Sequence, residues 1–154
     1  MLKPRAFWEQ LVADPPRALM LIVMDSWKRI GDAIGMRELL LACGTFDTLC
    51  RIATEDAATR TQLSMSVYAA TWKEETQKSR AVHFIERWQP LVLSAGSDVI
   101  PVGLWWTTLE VDAQVGPREL FGVVLTTVEG HIRTLPLAER FTPIGVSWEA
   151  MMGS

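Results

Sequence analysis

The chain has 154 residues, 49% hydrophobic and 21% charged, which excludes disordered and fibrous classes and suffices for one self-supporting core. Its 15 Lys and Arg against 18 Asp and Glu leave a net charge of -3, so a domain that lives by gripping nucleic-acid phosphates is disfavoured. Two cysteines, Cys43 and Cys50, are too few for a secreted disulfide framework. On one straight helix they stand about 10 Å apart, beyond the reach of a bridge. The N-terminal residues hold neither a secretory apolar core nor a stretch of about 20 apolar residues. The expectation is a cytoplasmic protein with no membrane partner.

Residues 1–58 read as mostly helical and 59–154 as mostly antiparallel strands, within a single domain spanning 1–154. Pro4 can open a first helix that runs to Ala13 with Phe7, Trp8, Leu11 and Val12 on one side. Asp14, Pro15 and Pro16 end it. A second helix is predicted from Pro16, its apolar positions Leu19, Met20, Val23, Trp27, Ile30 and Ile34 at helical spacing, with Gly35 as its stop. Residues 36–43 form a short third helix closed by Gly44, and Thr45 caps a fourth over 46–53. Leu63, Met65 and Val67 alternate, which predicts a half-buried strand. Residues 73–80 read as a polar loop. Strands are predicted at 81–87 and 91–95, joined by a turn through Trp88, Gln89 and Pro90. A turn at Gly96, Ser97 and Asp98 leads to a strand over 99–111. Residues 123–128 and 131–135 read as a hairpin about Glu129 and Gly130. The class is α+β: N-terminal helices packed on an antiparallel sheet of about five or six strands.

Few constellations carry chemistry. Residues 29–41 resemble a helix-turn-helix, but the would-be recognition helix offers mostly leucines, and base edges are read by polar side chains. Packed core helices explain the pattern better. Trp105 and Trp106, adjacent on a strand, must point to opposite faces, one into the core and the other toward a pocket or partner surface. His83 and His131 lack the neighbours that would make a metal site, and no nucleophile–base–orienter set is visible. No glycine-rich phosphate loop follows a predicted strand.

Several pieces nevertheless fall in a familiar order. Residues 40–49, with Leu40, Leu41, Gly44, Thr45, Thr48 and Leu49, resemble the helix start that precedes the sheet in chorismate lyases. Arg80, then Pro90, an apolar strand and Val99–Ile100–Pro101 are similar to the hairpin of those enzymes and of the related effector-binding domains of certain bacterial repressors. Glu139, Phe141 and Pro143 resemble the strand that carries the family's catalytic glutamate. In a second alignment, residues 115–122 match the family's flap helix instead. The resemblance implies a six-stranded antiparallel sheet and release of pyruvate from chorismate to give 4-hydroxybenzoate, without metal or cofactor. It makes Arg80 and Glu139 the catalytic pair, with Arg80, Trp105 and Trp106 binding a small aromatic carboxylate.

Three readings stand. The leading one is a non-enzymatic binding or accessory module that acts through an apolar surface or small-ligand pocket, with a protein partner or self-association and no nucleic acid. The alternative is a chorismate-lyase-like enzyme. The third is a stand-alone effector-sensing domain, which shares the fold of the lyase but lacks its chemistry.

Overall fold

The computed structural model describes residues 1–153 except 17, 26, 89–90, 96–97, 113 and 146; over 91–101 it describes the backbone alone. In chain order the elements are α1 (Pro4–Ala13), β1 (Ala18–Met24), α2 (Trp27–Ala33), α3 (Met36–Ala53), β2 (Thr59–Ser64), β3 (Val67–Trp72), a 3-10 turn (Glu75–Lys78), α4 (Ser79–Arg87), β4 (Leu91–Ala95), β5 (Asp98–Val102), β6 (Leu104–Glu110), α5 (Pro117–Ile132), a second 3-10 turn (Leu137–Glu139) and α6 (Trp148–Gly153). The fold is α+β. Among the described residues, the main sheet is antiparallel and has four strands in the order β2-β3-β1-β6, and β4 and β5 form a separate antiparallel pair.

The strand β1 organises everything else, and it lies where the sequence predicted a helix. All seven of its residues are buried. Met20, Ile22 and Met24 join a cluster with Ile30, Phe46, Tyr68, Trp72 and Ile85, beneath α2, α3 and α4. Leu19, Leu21 and Val23 join the opposite cluster with Phe7, Trp8, Phe121 and Val128, beneath α1, α5 and α6. A strand covered by helices on both faces shows no polar phase, so its apolar run satisfies a helical template equally well. Each of these side chains contributes about 1.5–3 kcal/mol by leaving water.

Other expectations are corrected in the same way. Residues 36–53 form one helix, not two: Gly44 lies inside it, and the Thr45 hydroxyl donates to the Leu41 carbonyl at 3.0 Å rather than capping a new start. Residues 81–87 belong to α4, with Ala81 and Ile85 buried at i, i+4 and His83 exposed. The predicted hairpin at 123–135 is instead α5, opened by Pro117 at its first position, with Leu120, Phe121, Val124, Val128 and Ile132 buried. Burial of that stripe overrides the strand preference of its valines and threonines. Two strands, β2 and β3, replace the single one expected around 61–67, turning at residues 65–66. The predicted strand 99–111 is interrupted at Gly103, between β5 and β6. Gly35 does separate two helices; its φ of 133° is open to glycine and rarely to other residues. The turns expected at Gln89–Pro90 and Gly96–Ser97 lie outside the described residues. Among the described residues, no helix is long and apolar enough to cross a membrane, and no group of three potential metal ligands occurs.

Candidate functional site

The helix α3 presents two adjacent stripes. Leu39, Ala42, Phe46, Leu49, Cys50 and Ala53 are buried against the sheet. Beside them, Leu41, Thr45, Thr48 and Ile52, at i, i+4, i+7 and i+11, form a flank that faces Phe84 and Trp88 of the α4 segment across a cleft of about 460 Å³. Leu41 is 54% exposed and Trp88 50%, although both are large and apolar. The two threonines do not make the cleft polar. Thr45 donates its hydroxyl proton to the Leu41 carbonyl, and Thr48 donates to the Gly44 carbonyl, each at 3.0 Å. Gly44 lines the same cleft, and a Cβ added there would meet nothing within 4 Å. A second cleft of about 480 Å³ lies between the starts of α1 and α6, but Lys3, Arg5 and Glu9 line it.

Arg80, the predicted anion-binding residue, is not among the residues that line the first cleft. It lies four and eight residues before Phe84 and Trp88, on the same helical stripe. Its guanidinium bonds Glu55 and approaches Asp56 at 3.6 Å, both just beyond the end of α3. Arg80 thus opens a helix rather than a strand, and two carboxylates already neutralise it.

A second constellation lies at the end of β1. Asp25 follows the strand directly, and its backbone N–H donates to the Gly103 carbonyl at 2.8 Å. Its carboxylate meets His131 Nε2 at 2.6 Å, and the imidazole stacks on Trp105 with ring centres 4.1 Å apart and planes 6° from parallel. The pair is largely buried. Burial pushes the Asp25 carboxyl above its ordinary value, against the opposing pull of the hydrogen bond and charge of His131. Glu139, in the second 3-10 turn, lies 3.9 Å from Arg29 of α2, and Phe141 packs on Trp27 with ring centres 5.5 Å apart.

These positions do not unite the predicted site residues. Trp105 and Trp106 do point to opposite faces: Trp105 packs with the α1–α5–α6 cluster and Trp106 with the α2–α3–α4 cluster. Arg80 is anchored beyond the far end of α3. Glu139 is anchored to α2, whose Gly31 packs on Leu39 near the start of α3. From residue 39 to residue 55 the helical rise is on the order of 20 Å. Sequence reasoning missed Asp25 and treated His131 as isolated, because the two are 106 residues apart in the chain. No protein-family model, curated protein or solved structure matches the chain.

Proposed function

We propose that the protein is a non-enzymatic binding module that takes a small, neutral, largely apolar ligand in the cleft between α3 and α4. The observation that carries this reading is the chemistry of the cleft wall. Leu40, Leu41, Ile52 and Trp88 stand in solvent, and its threonine hydroxyl protons are used within α3. About 460 Å³ falls in the range of small-molecule sites, and such a site is mostly apolar. An apolar guest would remove that surface from water at roughly 25 cal/mol per Å². Arg80 serves as the tie that holds α4 against the end of α3, since Glu55 and Asp56 already balance its charge.

The test is titration with N-phenyl-1-naphthylamine, a neutral apolar probe whose emission rises on leaving water. One saturable site is expected. Gly44→Leu, which fills the open space at Gly44 with a good helix former, should abolish it. Binding that persists unchanged in a folded Gly44→Leu variant would overturn the assignment.

A further inference from the structure

The outer strand β6 has one strand neighbour, β1, among the described residues. The direction of its backbone groups follows from the ladder. Residues 25 and 103 stand one step beyond the Met24–Leu104 pair, and the Asp25 N–H donates to the Gly103 carbonyl. Hydrogen-bonded pairs recur at every second residue of an antiparallel ladder. Trp105, Thr107 and Leu109 therefore turn their N–H and C=O groups to β1, and Trp106, Thr108 and Glu110 turn theirs away. The other side of β1 agrees: the even-numbered Met24 donates its N–H to the Ser66 carbonyl, beside β3, at 2.8 Å. No further backbone hydrogen bond reaches Trp106, Thr108 or Glu110 among the described residues.

The two edges of the sheet are treated differently. At β2, the Leu2 N–H donates to the Arg60 carbonyl at 3.1 Å, and the Thr61 hydroxyl donates to the Leu2 carbonyl at 2.9 Å, so the N-terminal segment covers the middle of that edge. β6, Leu-Trp-Trp-Thr-Thr-Leu-Glu, has no proline, no lysine or arginine and no bulge in its register with β1. Those are the devices that ordinarily keep an edge from pairing.

We propose that β6 is an interface strand that pairs antiparallel with β6 of a second copy, joining two four-stranded sheets into one of eight. The unpaired N–H and C=O groups call for a strand as occupant, and the pattern of β6 favours its own copy. Full overlap about a twofold axis at Thr107 sets Trp106 opposite Thr108 of the second copy. Outward-facing groups then meet outward-facing groups without any slip. The same register sets Trp105 opposite Leu109 of the second copy, an aromatic–aliphatic pair. It also sets Glu110, the one charge on the strand, opposite Leu104, so like charges do not meet. This surface is separate from the ligand cleft, and its test does not depend on ligand binding.

Sedimentation velocity over a wide concentration range should show a monomer–dimer equilibrium. Amide exchange followed by NMR should show at least tenfold more protection at Trp106 and Thr108, which face each other across the twofold axis, in the dimer. Trp105, Thr107 and Leu109, already bonded to β1, should change little. Thr108→Pro removes one outward N–H at a position where an edge strand tolerates proline, and should leave a folded monomer. A protein that stays monomeric at the highest concentration would overturn the proposal. So would a dimer whose Trp106 and Thr108 amides exchange freely, a dimer that survives in folded Thr108→Pro, or protection that arises only with an unrelated strand peptide. If Thr108→Pro fails to fold, the exchange pattern of the unaltered chain decides alone.

Discussion

Gly44→Ala distinguishes one helix from two by the sign of its effect. In α3 the glycine is eight residues from the first helical position and nine from the last, it is exposed, and its φ is not positive. A Cβ there meets nothing within 4 Å, so alanine brings no clash. The expected effect is then the helix-propensity difference alone, a stabilisation of about 0.8–1 kcal/mol. Had Gly44 closed one helix in the left-handed conformation before another began, alanine would cost about 1 kcal/mol instead. The two geometries thus differ by roughly 2 kcal/mol, well outside the error of a urea titration. With a urea m-value of about 1–3 kcal/mol/M, the midpoint should rise by roughly 0.3–1 M at unchanged slope. The methyl group takes little of the cleft, so probe binding should survive in this variant and disappear only with Gly44→Leu. A lower midpoint for Gly44→Ala would refute the continuous helix, and with it the placement of the stripe that walls the cleft.

Within α4, Ile85→Ala should cost about 2–5 kcal/mol, because the side chain is fully buried, whereas His83→Ala should stay within about 0.5 kcal/mol. A strand would bury residues 81, 83 and 85 together, so comparable losses in urea melts would contradict the helix. Arg80→Ala should change stability by at most about 1 kcal/mol, since the ion pair with Glu55 lies on the surface, and should weaken probe binding only modestly. Abolished binding with the fold intact, checked by circular dichroism, would return Arg80 to a direct role at the ligand. For Asp25, burial raises the folded pKa above the ordinary 3.8 and so favours the protonated form in the folded state. Its contribution to stability is therefore full below 3.8 and is lost as pH rises through the folded value. Asp25→Asn, which is neutral throughout, should gain stability relative to the unaltered chain as pH rises above about 4. A relative loss over the same window, read from urea melts, would mean that attraction to His131 outweighs burial.

What was legible in the sequence follows the physics of each segment. Pro4 at the first position of α1, with Asp14, Pro15 and Pro16 after it, marks both ends of that helix by local chemistry, and the structure keeps both. Trp105 and Trp106 divide between the two faces because the strand period is two, whatever the fold around them. The failures arise where tertiary burial decides. In α5, valine and threonine prefer strands locally, yet the stripe from Leu120 to Ile132 finds a core only as a helix. In α3, a mid-helix glycine gives the same local signal as a terminator, and only packing of residues on both sides of it against one sheet separates the two cases.

Residues 18–24 have the widest consequences for the site. Placed in a helix, Asp25 is one polar residue on a turn, with nothing to mark it. At the end of a central strand it is the first polar residue after seven buried ones, at the margin of the sheet, where loops and helix ends converge. The residues that converge there are Gly103, Trp105 and His131, none near Asp25 in sequence. The signal that would have found the site is the length of the apolar run. Seven residues closed by Asp25 suit a strand better than a helix of ten or more, and helices predicted before and after it supply two covering layers. Once β1 is central, the helices must divide between its two faces, and α3 and α4 fall on the same face. The cleft between them follows from that division, and no segment in isolation announces it.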